Sequence, residues 1–112
     1  TKCQMTVLKS MPYNRMDPKI YERLYAAAAK AVGKENVVQR PRTLGGEDFA
    51  FISRAVPAGQ FKVGIRPLDC AEKIVGHSGK FHISGEKCYQ AAIDTFVNFV
   101  FENMNGGRHY KR

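Results

Sequence analysis

With 112 residues, 44% of them hydrophobic and 25% charged, the chain has the size and composition of one globular domain rather than a disordered segment. Cys3, Cys70 and Cys88 are an odd number without C-x-x-C spacing, which argues against both a disulfide framework and a zinc ribbon and predicts a reducing cytoplasm. Eighteen Lys and Arg against ten Asp and Glu give +8, yet only the RHYKR run at residues 108–112 is clustered. No RNA-binding or helix-turn-helix signature accompanies it, so nucleic acid is not an expected partner. No apolar run is long enough to cross a bilayer, and no membrane partner is expected.

The first ten residues, TKCQMTVLKS, lack the apolar core of a signal peptide and an initiator Met, and read as an internal edge of a longer polypeptide. Residues 2–9 fit a strand with Cys3, Met5 and Val7 on one face. Pro12 and Asn14 break that pattern. Asp17 and Pro18 then form a helix start, N-cap followed by proline at the first helical position, and Ile20, Leu24, Ala27, Ala28 and Ala31 follow at helical spacing up to Gly33. The four alanines at 26–29 combine helix propensity with little bulk, which permits close approach of another element.

Residues 36–39 read as a short strand, so strand, helix and strand alternate as in an α/β domain. The segment TLGGEDFAFI at 43–52 places Gly45 and Gly46 before Glu47 and Asp48, which fit the first turn of a short helix with Phe49 and Ile52 facing inward. Paired acids beside glycines are also candidate metal ligands or an acid/base pair, although position alone favours the helix-end role. Pro57 and Gly59 form a turn. Phe61, Val63 and Ile65 then alternate with Gln60, Lys62 and Gly64 in the clearest strand pattern of the chain.

A loop over residues 66–75 leads into VGHSGKFHISGE at 75–86, where His77 stands between Gly76 and Gly79. A neutral imidazole on a glycine-flanked loop is a candidate metal ligand in an active site, although a solvated histidine fits the same residues. His82, flanked by Phe81 and Ile83 on the opposite face of an extended segment, reads as structural. The last helix is expected from about Gly85 to Asn103. Gln90, Asp94, Asn98 and Glu102 make one narrow polar stripe on it, and apolar residues cover the rest, so it calls for burial on more than one side. The expectation is therefore that the chain belongs to a larger body.

Two motifs carry a resemblance. Gly46-Glu47-Asp48-Phe49 is similar to a Gly-Ser-Glu-Asp-Phe segment, and His77-Ser-Gly-Lys-Phe81 with the later Glu86 is similar to a C-terminal His-x-x-x-Phe segment and its following acid. Both belong to the metal-dependent amidohydrolases and peptidases that include aminoacylases, hippurate hydrolases and hydrolases of indole-acetic-acid amino-acid conjugates. The chain departs from the pattern at Gly46, where Ser or Ala is frequent, and at Met16, where Asn is usual.

The resemblance covers nearly all of this chain and the C-terminal third or so of a family member. It implies an α/β fold, part of a three-layer catalytic domain of zinc-peptidase type with short strands and two long helices, plus one strand from a lid domain. Residues 1–15 would end the lid or dimerisation domain, 16–104 would form the second half of the catalytic domain, and 105–112 a basic tail. His77 would be a metal ligand, with Gly45, Gly46, Glu47 and Asp48 near the active site. The implied cofactor is a divalent metal, zinc, manganese or cobalt, two ions per intact site, which would activate the water that cleaves an N-acyl amino acid or small peptide. The implied partners are the remaining catalytic and lid domains, in a homodimer when intact. No His-x-Asp segment, bridging Asp or Glu-Glu pair is present, so the chain alone is not expected to be active. A non-catalytic α/β module for protein assembly is the alternative.

Overall fold

The computed structural model describes residues 1–7, 10–66, 76–79, 81–83 and 85–106. Residues 66–75 of the expected loop lie mostly outside them, as do Leu8 and Lys9 of the first expected strand and residues 107–112 of the basic tail.

Helix α1, Pro18–Val32, begins where the sequence calls for it. Asp17 is its N-cap, and its Oδ1 accepts from the backbone N–H groups of Lys19 at 2.9 Å and Ile20 at 3.1 Å. Two of the four donors that a helix start leaves unpaired are thereby satisfied. Gly33 ends it at φ +86°, a conformation that glycine adopts without the Cβ penalty, and donates to the Ala29 carbonyl at 2.9 Å. A single 3₁₀ turn, Lys34–Asn36, follows, with Asn36 Nδ2 donating to the Val32 carbonyl at 2.7 Å. Helix α2 is short, Phe49–Ala55, and helix α3, Glu86–Gly106, is the longest element.

α1 and α3 pack against each other, and most of the buried positions on the two helices carry small or polar residues. From α1 come Leu24 and the fully buried Ala27. From α3 come half-buried Ala91 and Ala92 and buried Thr95, whose hydroxyl donates to the Ala91 carbonyl at 2.7 Å and so needs no partner outside its own helix. Asn98 Nδ2 reaches the Ala27 carbonyl at 3.3 Å, Arg23 donates to Asn103 at 2.6 Å, and Lys30 pairs with Glu102 at 3.7 Å. The alanine run thus permits the close approach its size suggests. The exposed ion pair adds well under about 1 kcal/mol.

The consequence for α3 is an orientation opposite to that of an ordinary amphipathic helix. Two members of its polar stripe, Asn98 and Glu102, meet α1, while Tyr89, Ile93, Phe96, Val97, Val100, Phe101 and Met104 stay between 46% and 73% exposed. No large side chain is fully buried among the described residues. The radius of gyration, 18.0 Å, exceeds the ~13 Å expected of a compact domain of this length.

The expected α/β fold is not observed: the described residues are helical and contain no strand. Residue 36 belongs to the 3₁₀ turn, and residues 2–7, 37–39 and 81–83 are irregular. Over residues 61–65 the alternation is realised, with Phe61, Val63 and Ile65 half-buried and Lys62 and Gly64 exposed, but no ladder forms. A strand exists only through hydrogen bonds to a neighbour. α1 separates the first of these stretches from the second and α2 the second from the third, and among the described residues none of them pairs with another in a ladder. α2 also differs from expectation, since Ala50 and Ser53 are buried while Ile52 is 53% exposed.

Replacing the N-cap tests how far α1 organises the chain. Asp17→Ala is expected to lower unfolding free energy by about 1 kcal/mol in urea titrations, and Asp17→Asn to retain most of it, because the amide oxygen still accepts from the first turn.

Candidate active site

The segment containing Glu47 and Asp48 is held by a set of crossings between three stretches of chain: the approach to α1, the approach to α2, and the turn that follows α2. Arg15 N–H donates to Ser53 Oγ at 3.2 Å, and Asp17 N–H to the Ala58 carbonyl at 2.9 Å. Ser53 is buried, and its hydroxyl donates to the Ala50 carbonyl at 3.1 Å. The Arg54 guanidinium lies over the Tyr13 ring, 5.2 Å from its centroid. Together these bonds lay residues 13–17 along α2.

Glu47 sits at the end of this seam, half-buried. Its Oε2 accepts from Gln60 Nε2 at 2.7 Å, and its Oε1 from Asn14 Nδ2 at 3.4 Å. Asn14 Nδ2 also donates to Gln60 Oε1 at 2.9 Å, which closes a triangle of one carboxylate and two amides. Asp48 is exposed at the N-cap position of α2, and its side chain makes no capping bond. α2 therefore starts without the side-chain cap that an aspartate there could supply, and the two acids differ in environment: one is bound by amides, the other open to solvent.

Gly45 and Gly46 are distinguishable too. A Cβ at Gly45 would meet nothing within 4 Å, whereas one at Gly46 would come 3.0 Å from Met11 Cγ. The residue at 46 is thus limited by the chain preceding α1.

His77 stands apart from these groups, exposed in the turn over residues 76–79, with Phe81 N–H donating to the Ser78 carbonyl at 3.0 Å. Its φ is +61°, in the left-handed region, where a side chain with a Cβ costs about 1–2 kcal/mol relative to glycine. No hydrogen bond or ion pair joins it to Glu47 or Asp48 among the described residues. Nor do these contain a group of three or more His, Cys, Asp or Glu able to hold a metal ion. One imidazole is not a metal centre, and the donors described here do not complete one.

An open cavity of about 530 Å³ lies between α1, α2, residues 57–63 and α3, lined by Leu24, Phe49, Phe61, Phe96 and Phe99 among others. Phe61 and Phe96 meet across it with ring centroids 5.0 Å apart.

The model of Peptidase family M20/M25/M40 matches residues 2–102. The chain belongs to that family. Its peptidases are generally metal-dependent, which accords with the resemblance carried by the Glu47 and His77 motifs. IAA-amino acid hydrolase ILR1-like 6 of Arabidopsis thaliana is 27% identical over 84 residues, covering 70% of this chain and 18% of that protein. The chain therefore spans less than a fifth of the length of this relative. No solved structure matches it significantly.

Asn14 and Gln60, the two residues that hold Glu47, escaped the sequence reading. They lie 46 positions apart, and Gln60 reads simply as the polar partner of Phe61 in an alternating pattern. No local signal marks either one.

The seam itself can be tested at Ser53. Ser53→Ala leaves the Arg15 N–H without its acceptor, so a loss of about 1–2 kcal/mol in thermal or urea unfolding is expected. Ser53→Thr, which keeps the hydroxyl, is the control.

Proposed function

We propose that the chain is the C-terminal part of a metal-dependent amidohydrolase that cleaves the amide bond of N-acyl amino acids or small peptides. The observation that carries this reading is the family match over residues 2–102, joined to a relative named as a hydrolase of amino-acid conjugates. On this reading residues 1–15 end a lid or dimerisation domain, residues 16–104 belong to the catalytic domain, and the intact enzyme is a homodimer. His77 gives one imidazole to a site for two divalent ions, of zinc, manganese or cobalt, whose remaining ligands come from outside this chain. Gly45, Gly46, Glu47 and Asp48 lie beside that site.

Two features support it. The bulky face of α3 is turned outward, which suits a layer covered by the rest of a larger protein. His77 also occupies a backbone conformation that glycine would adopt at lower cost, so the histidine is not explained by the needs of the turn. The chain alone is inactive on this reading, because its donor set is incomplete.

In the intact protein, His77→Ala is expected to lower bound divalent metal, measured by elemental analysis, and to reduce hydrolysis of N-acyl amino acids by about 100-fold or more. His77→Gly should lose metal equally while being no less stable, since it removes the ligand and the left-handed strain together. Unchanged metal content and rate in both variants defeat the assignment.

The outward face of α3 also favours a second reading, a non-catalytic module for assembly. Light scattering separates part of the question. The 112-residue chain is expected to associate at micromolar concentration, and the pair Val97→Glu with Phe101→Glu to suppress this without lowering the melting temperature. A monodisperse wild-type monomer counts against the module.

A further inference from the structure

We propose that Asn14 and Gln60 are positioning residues, which hold the Glu47 carboxylate as the acceptor for an N–H group of the amide substrate. The proposal rests on the hydrolase reading and adds to it a binding role for Glu47 and the two residues that set its orientation.

The donors and acceptors of the triangle match in only one sense. Gln60 presents its amide nitrogen to Glu47 Oε2 at 2.7 Å and its amide oxygen to Asn14 Nδ2 at 2.9 Å. Turned over, it would set oxygen against carboxylate and NH₂ against NH₂. Asn14 has two amide hydrogens, one for Gln60 Oε1 and one for Glu47 Oε1 at 3.4 Å. Each group thus orients the next, with a short bond to the carboxylate at Oε2 and a longer contact at Oε1.

The choice of partners matters as much as their geometry. In a chain with eighteen Lys and Arg, Glu47 makes no ion pair among the described residues, and both its donors are neutral. A guanidinium or ammonium would orient the carboxylate and also neutralise it; amides orient it and leave the negative charge in place. A carboxylate has about four acceptor positions, and the triangle uses two. Glu47 therefore keeps both charge and acceptor capacity for a donor arriving from outside. An amide substrate brings such a donor on the nitrogen of its scissile bond.

The triangle assembles only when the fold does. Its members are separated by 13, 33 and 46 positions, and the Arg15–Ser53 and Asp17–Ala58 bonds brace the same three stretches. A surface salt link of the usual kind would tolerate movement of any one of them. This arrangement gives the carboxylate a fixed place on short, supported segments.

A scaffold role would require the same bonds, so the test must move the charge while keeping the triangle. The exchange Glu47→Gln with Gln60→Glu retains one carboxylate and two amides but carries the charge to position 60. On the metal-loaded intact hydrolase, assayed with an N-acyl amino acid, Glu47→Gln is expected to raise KM about 10- to 100-fold, the worth of a hydrogen bond to a charged acceptor, with kcat near that of the unchanged enzyme. Gln60→Glu, which sets two carboxylates face to face, should raise KM similarly and also lower the melting temperature. The double exchange should restore the melting temperature and leave KM as high as in Glu47→Gln.

Recovery of KM together with melting temperature in the double variant overturns the proposal, because a scaffold would then account for everything. A wild-type KM in Glu47→Gln overturns it as well. Both outcomes leave an active hydrolase and so differ from failure of the hydrolase reading, which would show as no metal-dependent amide hydrolysis by the unchanged protein.

Discussion

Apart from Leu24, the buried positions of α1 and α3 carry small or polar side chains, and much of the rest of the molecule follows from that. Ala27, Ala91, Ala92 and Thr95 let the helices approach closely enough for Asn98 to reach a backbone carbonyl of α1. A helix has one circumference, so spending its small face on α1 commits its large face to the opposite side. Tyr89, Ile93, Val97, Val100 and Met104 then have no neighbour to bury them among the described residues. Apolar burial contributes about 25 cal/mol per Å², and alanines supply little area, so this helix pair holds its geometry through fit and hydrogen bonds more than through a large core. The open cavity beside Phe61 and Phe96 is part of the same result: small faces meet, and large side chains stand around the gap without filling it.

The second organising feature lies at the entry to α1. Asp17 caps the helix with its side chain and takes the Ala58 carbonyl with its backbone N–H, so one residue ties a helix start to a loop more than forty positions away. Arg15 and Asn14 continue the seam to Ser53 and to Gln60. α2 is too short to be stable by itself, and these crossings supply what its seven residues cannot. Glu47, ahead of α2, is bound by Asn14 and Gln60 of the same seam that runs into the cap of α1. That seam links an ordinary folding device to the segment with the chemistry.

What was legible in the sequence was local. Asp17, Pro18 and Gly33 mark the ends of α1 because capping acts within a few residues, and α3 is announced by a long apolar stretch after Gly85. The strands failed because alternation records only which side of a segment is covered. Residues 61–65 show the correct alternation of burial and still form no strand, since a ladder depends on a second stretch that the pattern does not specify. The facing of α3 was illegible for a related reason: a polar stripe is normally a solvent face, and only the partner's alanines and the Ala27 carbonyl make it a contact face instead. Asn14 and Gln60 carry no mark at all, because amides pair across any separation the fold allows.

His77 and the bulky side of α3 present one problem in two forms. The imidazole is placed in a left-handed turn at a cost that no hydrogen bond or ion pair among the described residues offsets, and the helix exposes apolar surface that water disfavours. Among the described residues each is a local excess without a local use. The matched relative is more than five times as long as the segment it shares with this chain. On the hydrolase reading the two requirements are met together: a body that covers α3 would also be the body that brings further donors toward His77. Glu47 differs from both, because its orientation is already complete within the described residues. Of the three, it is the one group whose local geometry does not wait for assembly, so its contribution to substrate binding can be separated by mutation from the completion of the metal centre.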